Sequence, residues 1–284
     1  MPRIEHILFP YDFSRPCTLI APQVRAVAHR FGAKLTLLTV YPTSWDTHSP
    51  EMPILKGLDA PEKELKALLG PVAAGVFAGI SVEIQTAMGD AAFKIVQFAH
   101  DHHVDLIMMP THGFGTFRTL LIGSVTAKVL HESNCPVWTA AHSEEQSSPD
   151  LPRNILCAID RSDETAPVLK WAGEYSKRMS GSLRLLHVVQ PVSDCLSLPN
   201  ERQLQEEVRK EAGAQVDAMR QKAGVDATLT VAVGKLTDTV TEEARREQSD
   251  LLLIGRGSLN NTVGALHTHA YGIIQGAPCP VLSV

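Results

Sequence analysis

The chain has 284 residues, enough for two domains of ordinary size that each bury a core. Its composition, 44% hydrophobic and 20% charged, is that of a globular protein, and a net charge of −5 argues against the basic stripe that a nucleic-acid partner requires. No apolar run reaches the roughly 18–20 residues that span a bilayer, and the opening MPRIEHILFPYD is too short and too acidic for a signal peptide, so a cytoplasmic protein without membrane association is expected.

HILFPYD is a short apolar run closed by Pro and Asp, which predicts a buried strand followed by a loop. Val24, Val27, Ala28 and Phe31 then recur at helical spacing, and Gly32 stops that helix. KLTLLTVYP predicts a second strand, followed by a Pro-rich loop from Pro42 to Pro53 and a helix from Pro61 to Phe77. SVEIQTA alternates as a third strand, and after Gly89 a helix places Ala92, Ile95, Val96 and Ala99 on one face. DLIMMP predicts a fourth, fully buried strand, LIGSVTAKVLHES a helix, and CPVWTA the last strand. The polar, Ser-rich stretch Ala140 to Asp150 reads as a linker, which predicts domains over 1–141 and 152–284 joined by 142–151.

The second half repeats this order. LPRNILCAIDRS matches RIEHILFPYDFS, and DLLLIGRGS…CPVLSV matches DLIMMPTHG…CPVWTA. Asp12 corresponds to Asp160 and Val40 to Val188 at an offset of 148, Asp105 to Asp250 at 145, and Cys135 to Cys279 at 144. One domain is therefore written twice. A longer charged helix from about Asn200 to Ala223 lets Glu206 and Lys210 pair across one turn. Strands alternating with helices imply right-handed βαβ units. The predicted fold class is α/β: two tandem doubly wound domains, each a five-stranded parallel sheet with helices on both faces. In such sheets ligands sit at the carboxyl ends of strands where the strand order reverses, here after strands one, two and four.

After the fourth strand come Pro110-Thr111-His112-Gly113, nine residues, and then Gly123-Ser124 opening a helix. Glycines allow close backbone approach, the helix N-terminus favours an anion, and the Ser124 hydroxyl adds a donor, so the segment reads as a phosphate cradle. Together with Asp12 and Val40 it resembles the universal stress protein family, over essentially the whole chain as two tandem domains. Nucleotide-binding members of that family carry G-x2-G-x9-G-[ST] at this place. The resemblance implies an adenine nucleotide, ATP or AMP, in the first half, with any accompanying Mg²⁺ left open. Asp12 would take the adenine or ribose, Val40 would line the base pocket, and Gly113, Gly123 and Ser124 would hold the phosphates. Pro10, Tyr11, Met109, Pro110, His112 and Val125 complete the implied set. Pro110 stands where the first Gly of the pattern would be, which removes one N–H and stiffens the turn.

In the second half Gly255 matches the first Gly, Ser258 replaces the second, and Thr268-His269 stands for the Gly-[ST] pair. With Asp160 and Val188 these make a degenerate second site. Arg256, His267 and His269 could offer anion-binding side chains, but the simpler reading is a packing partner that has lost the site.

Other chemistry is set aside. His100, His102 and His103 lie near a helix end, and neither they nor His267-Thr-His269 have the Cys or acidic neighbours of a zinc site. His112 with a water could assist slow hydrolysis, yet no carboxylate lies beside it in sequence, so a dedicated ATPase is not expected. There is no GxxxxGK[ST], no GxGxxG after the first strand, no GxSxG and no HxGH. The five cysteines are odd in number and lack CxxC spacing, and Cys135 and Cys279 precede Pro at a strand entry, as packed thiols do. The resemblance implies a nucleotide-responsive stress protein acting on an unknown protein effector. A nucleotide-independent scaffold is the alternative, and a weak ATPase the third. The last strands, Pro136 to Ala140 and Pro280 to Val284, are edges that need a cover. In single-domain family members that edge pairs between subunits, which implies an intramolecular pseudo-dimer here and leaves homodimerisation open.

Overall fold

A computed structural model of the chain describes residues 4–43, 60–113, 122–140, 151–162, 165–191, 200–255 and 265–284. They fall into two compact units, Pro2–Leu151 and Pro152–Val284. The first unit runs β1 (His6–Pro10), α1 (Arg15–Phe31), β2 (Lys34–Tyr41), α2 (Pro61–Gly75), β3 (Val82–Met88), α3 (Ala91–Asp101), β4 (Leu106–Met109), α4 (Ser124–Glu132) and β5 (Val137–Thr139). Its strands are parallel in the order β3-β2-β1-β4-β5. The chain leaves β1 in one direction to build β2 and β3, then returns to place β4 on the other side of β1. The carboxyl ends of β1 and β4 are thus the switch point of the sheet.

Local signals explain the elements. Ile7, Leu8 and Phe9, like Leu106 and Ile107, are fully buried, as central strands covered on both faces must be. Ser14 caps α1 by accepting from the Cys17 N–H, Pro16 occupies its first turn, and Gly32 ends it with a left-handed φ of 65°. Asp90 caps α3 in the same way, accepting from the Phe93 N–H at 2.9 Å. The helix expected to reach Phe77 stops at Gly75. Phe77 lies in the following turn, where its buried ring packs edge-on against Phe9 with centroids 6.1 Å apart. The Pro-rich loop lies almost wholly outside the described residues.

The second unit repeats the plan: β6 (Asn154–Ala158), α5 (Thr165–Met179), β7 (Ser182–Val189), α6 (Glu201–Lys222), β8 (Thr228–Val233), α7 (Leu236–Arg246), β9 (Leu251–Ile254), α8 (Ala265–Gly276) and β10 (Val281–Ser283). Its parallel order is β8-β7-β6-β9-β10. On α6, Glu206 pairs chiefly with Arg209 at 2.8 Å, and the expected partner Lys210 stands at 3.9 Å, because the guanidinium fork grips both carboxylate oxygens. α5 packs against α6 and α7 against α8, as α3 does against α4 in the first unit.

The repeated Asp105/Asp250 pair has a structural role in both units. The Asp105 carboxylate accepts from the backbone N–H groups of Glu5 and His6, at 2.8 and 2.9 Å. Asp250 accepts from those of Arg153 and Asn154, at 2.9 and 2.7 Å. Each Asp at the entry of the fourth strand pins the entry of the first, fixing the central pair whose far ends make the site. Among the described residues no helix is long and apolar enough to cross a membrane.

Candidate functional site

In the first unit the site grows from the loop after β1. Tyr11 N–H donates to the Leu38 carbonyl, and Thr39 Oγ1 donates to the Tyr11 carbonyl at 2.7 Å, so the loop is tied to β2 as it leaves the sheet. Asp12 Oδ1 accepts from the Ser14 N–H at 2.8 Å, which turns the chain into α1 and holds the carboxylate at the switch point. Opposite, the loop after β4 folds over that carboxylate: a Cβ at Gly113 would overlap Asp12 Oδ2. A side chain there would turn the carboxylate aside.

The same loop is locked to the start of α4. Gly123 N–H donates to the Thr111 carbonyl at 2.8 Å, and buried Thr126 donates through Oγ1 to the Pro110 carbonyl at 3.0 Å. A Cβ at Gly123 would stand 3.3 Å from both His112 Cα and the Thr111 carbonyl oxygen. Gly123 is the N-cap of α4 and offers no side chain to its first turn, and Ser124 is exposed at the helix start. That is the arrangement in which a helix N-terminus meets an anion.

Asp12, Gly113, Gly123 and Ser124 therefore share one end of the sheet, with half-buried Val40 at the end of β2 and half-buried His112 and Val125 beside them. His112 Nδ1 lies 3.1 Å from Thr111 Oγ1. Pro10, Met109 and Pro110 are buried beneath this surface. The Tyr11 ring is committed to the core, edge-on to Phe9 at 5.4 Å and to Phe13 at 5.2 Å, so Tyr11 offers its backbone and not its side chain. Burial raises the Tyr11 hydroxyl above its ordinary pKa.

Sequence reasoning missed Ser14, Thr39 and Thr126. The first had a signal: Asp12-x-Ser14 recurs as Asp160-x-Ser162, the spacing of an aspartate turn feeding a helix. Thr39 and Thr126 carry no such local mark, because their partners are 28 and 16 residues away.

The second unit differs in three ways. First, Asp160 Oδ1 accepts from Ser162 N–H at 2.9 Å and from the hydroxyls of Ser162 and Thr165, each at 2.7 Å. Burial alone would raise this carboxyl, but the Thr165 and Ser162 hydrogen bonds outweigh it and hold the pKa below the ordinary value. In the first unit Cys17 stands where Thr165 does, and its Sγ donates instead to the Pro10 carbonyl. Second, α8 begins at Ala265, so Thr268 and His269 lie inside the helix and not at its start as Ser124 does in α4. Third, a cleft of about 110 Å³ opens to solvent at the switch point, where the simpler reading of the sequence is a packing partner that has lost the site. Asp160, Val188, Gly255 and His269 line it, along with Ile159, Val168, Leu186, Leu236, Ile254, Ala270 and Ile273. Arg256 and Ser258 lie outside the described residues, as does the side chain of His267.

Among the described residues no three His, Cys, Asp or Glu side chains are grouped to hold a metal ion. His100 Nδ1 sits 3.1 Å from its neighbour Asp101, and the His102 ring stacks on Phe98 at 4.0 Å. Buried Cys17 and Cys157 have thiol pKa values pushed up by burial, as inert packed cysteines do.

The sequence model of the universal stress protein family matches residues 3–140 and again 152–284. A universal stress protein of Synechocystis is 33% identical over 131 residues, covering 46% of this chain and 82% of the relative. Another from the same organism is 31% identical over 136 residues, 48% of this chain but only 42% of the relative's length. The crystal structure of a universal stress protein from Archaeoglobus fulgidus superposes with a TM-score of 0.69 at 20% identity, over 99% of this chain and 96% of that one. With a family match for each unit and a fold shared along its whole length, the chain belongs to the universal stress protein family as a tandem, two-domain member.

Proposed function

We propose that the first unit binds an adenine nucleotide, ATP or AMP, and that the protein is a nucleotide-responsive regulator of the stress response and not a dedicated enzyme. The observation that carries this is the closure of the Pro110–Gly113 loop over the Asp12 carboxylate while Gly123 fastens that loop to the N-terminus of α4. Asp12 takes the ribose or adenine, Val40 borders the base, and the backbone of Gly113 and Gly123 with the Ser124 hydroxyl meets the phosphates. His112 stands beside the phosphate position. Among the described residues no three His, Cys, Asp or Glu side chains gather to hold a metal ion. The response is read by a protein effector in the cytoplasm.

The test is direct. Heat-denatured purified protein should release an adenine nucleotide, or millimolar ATP or AMP should raise the melting temperature. Gly123→Val should abolish that shift while leaving the circular dichroism spectrum unchanged, since its side chain meets the loop and not the core. Neither release nor shift in the native protein would refute the reading. Phosphate release from ATP should stay at background and be unaltered by His112→Ala.

A further inference from the structure

We propose that the cleft of the second unit is a separate ligand site, built for a compact apolar molecule carrying a primary amine and not for a nucleotide. Three observations lead there. The walls are aliphatic, with Val168, Val188, Leu186, Ile254 and Ile273 facing a common space of about 110 Å³ that opens to solvent. The one carboxylate among the described lining residues is Asp160, exposed at the mouth. The Ser162 N–H and the Ser162 and Thr165 hydroxyls all converge on Oδ1. The carboxylate is thereby oriented, and Oδ2 is left for a ligand.

No Lys or Arg among the described residues pairs with Asp160. Two imidazoles among the described residues lie close to Asp160 or on the cleft wall. His187 is buried, with Nδ1 2.9 Å from the Ile159 carbonyl, and half-buried His269 lies on the α8 wall. A carboxylate with no Lys or Arg partner among the described residues, bordering apolar surface, favours a cation, and a charge-assisted bond there outweighs a neutral one. The first unit is built otherwise: there Gly113 covers Asp12 Oδ2, and the helix start faces the loop.

The experiment uses the full chain and isothermal titration with three probes of one shape: tryptamine, the uncharged alcohol tryptophol and the anion indole-3-acetate. Tryptamine should bind most tightly, tryptophol about tenfold more weakly, and indole-3-acetate not measurably. Asp160→Asn keeps the acceptor that Ser162 and Thr165 need, so the unit should fold, but tryptamine should fall to the affinity of tryptophol. Ile273→Trp, which fills the cleft, should abolish both, and a melting temperature close to the parent's would show that the fold survives. Gly123→Val should leave tryptamine binding intact, which separates this site from the nucleotide site of the first unit. Equal binding of amine and alcohol, indifference to Asp160→Asn, no binding of tryptamine, or its displacement by ATP in the Gly123→Val protein would each overturn the proposal.

Discussion

At the scale of single residues, Gly113 and His6 show how narrow the tolerances are. Gly113 approaches Asp12 so closely that a methyl group would overlap Oδ2. Gly113→Ala should therefore turn the carboxylate aside and reduce the ATP-induced thermal shift severalfold. The unliganded melting temperature should change little, because both residues are only half-buried. A variant that keeps the full shift would show that the Asp12 orientation is irrelevant to binding. His6 answers a different question. It is half-buried, with Nε2 2.8 Å from Thr36 Oγ1 and Nδ1 3.2 Å from the His102 carbonyl. Burial lowers its pKa below 6.5, so the native state resists its protonation more than the unfolded chain does. Between the lowered value and 6.5 the unfolded state binds more protons, and stability therefore rises with pH across that window and is lost as pH falls through it. Thermal midpoints from about pH 5 to about pH 7.5 should show this slope, and it should flatten in His6→Gln. An unchanged slope in the variant would assign the dependence elsewhere.

At the scale of elements, the lock between the β4 loop and α4 is the part to break. Thr126→Val is nearly isosteric and removes only the hydroxyl that donates to the Pro110 carbonyl. Losing that buried hydrogen bond should cost about 1–3 kcal/mol in urea denaturation, together with part of the nucleotide shift, whereas a cost near zero would mean that Gly123 alone holds the loop. The elements themselves were legible because their causes are local. The periodicity from Val24 to Phe31 and the stop at Gly32 define α1, and the apolar runs at Ile7 and Leu106 mark strands buried on both faces. That Asp12, Gly113 and Gly123 meet at one end of the sheet was legible from the glycine spacing and from what sits at strand ends. What sequence could not show is long-range or gradual. The Thr126–Pro110 bond joins positions with no pattern between them. The start of α8 depends on how far helix propagates past Thr268, which fixed spacing carried over from the first copy does not encode. The cleft lined by Asp160 and Ile273 is likewise a product of volume, and volume has no motif.

At the scale of the whole molecule, duplication preserved scaffold and released chemistry. The Asp105 and Asp250 clamps survive in both units because each holds together the central strand pair on which its sheet depends. The residues around the two switch points differ: Cys17 stands against Thr165, Gly113 aligns in sequence with Ser258, and α4 opens at Ser124 where α8 opens at Ala265. One scaffold with two unlike sites should bind a single nucleotide per chain, and titration of ATP into nucleotide-free protein should give that stoichiometry. Gly123→Val should take it to none, while Asp160→Asn should leave it unchanged. Two equivalent nucleotides per chain would mean that the second unit had kept the ancestral chemistry despite Ser258 and the early start of α8. One nucleotide lost with Asp160→Asn and retained in Gly123→Val would move the site to the second unit. The two variants thus assign the nucleotide to one copy of the repeat, because each alters one switch point and leaves both aspartate clamps in place.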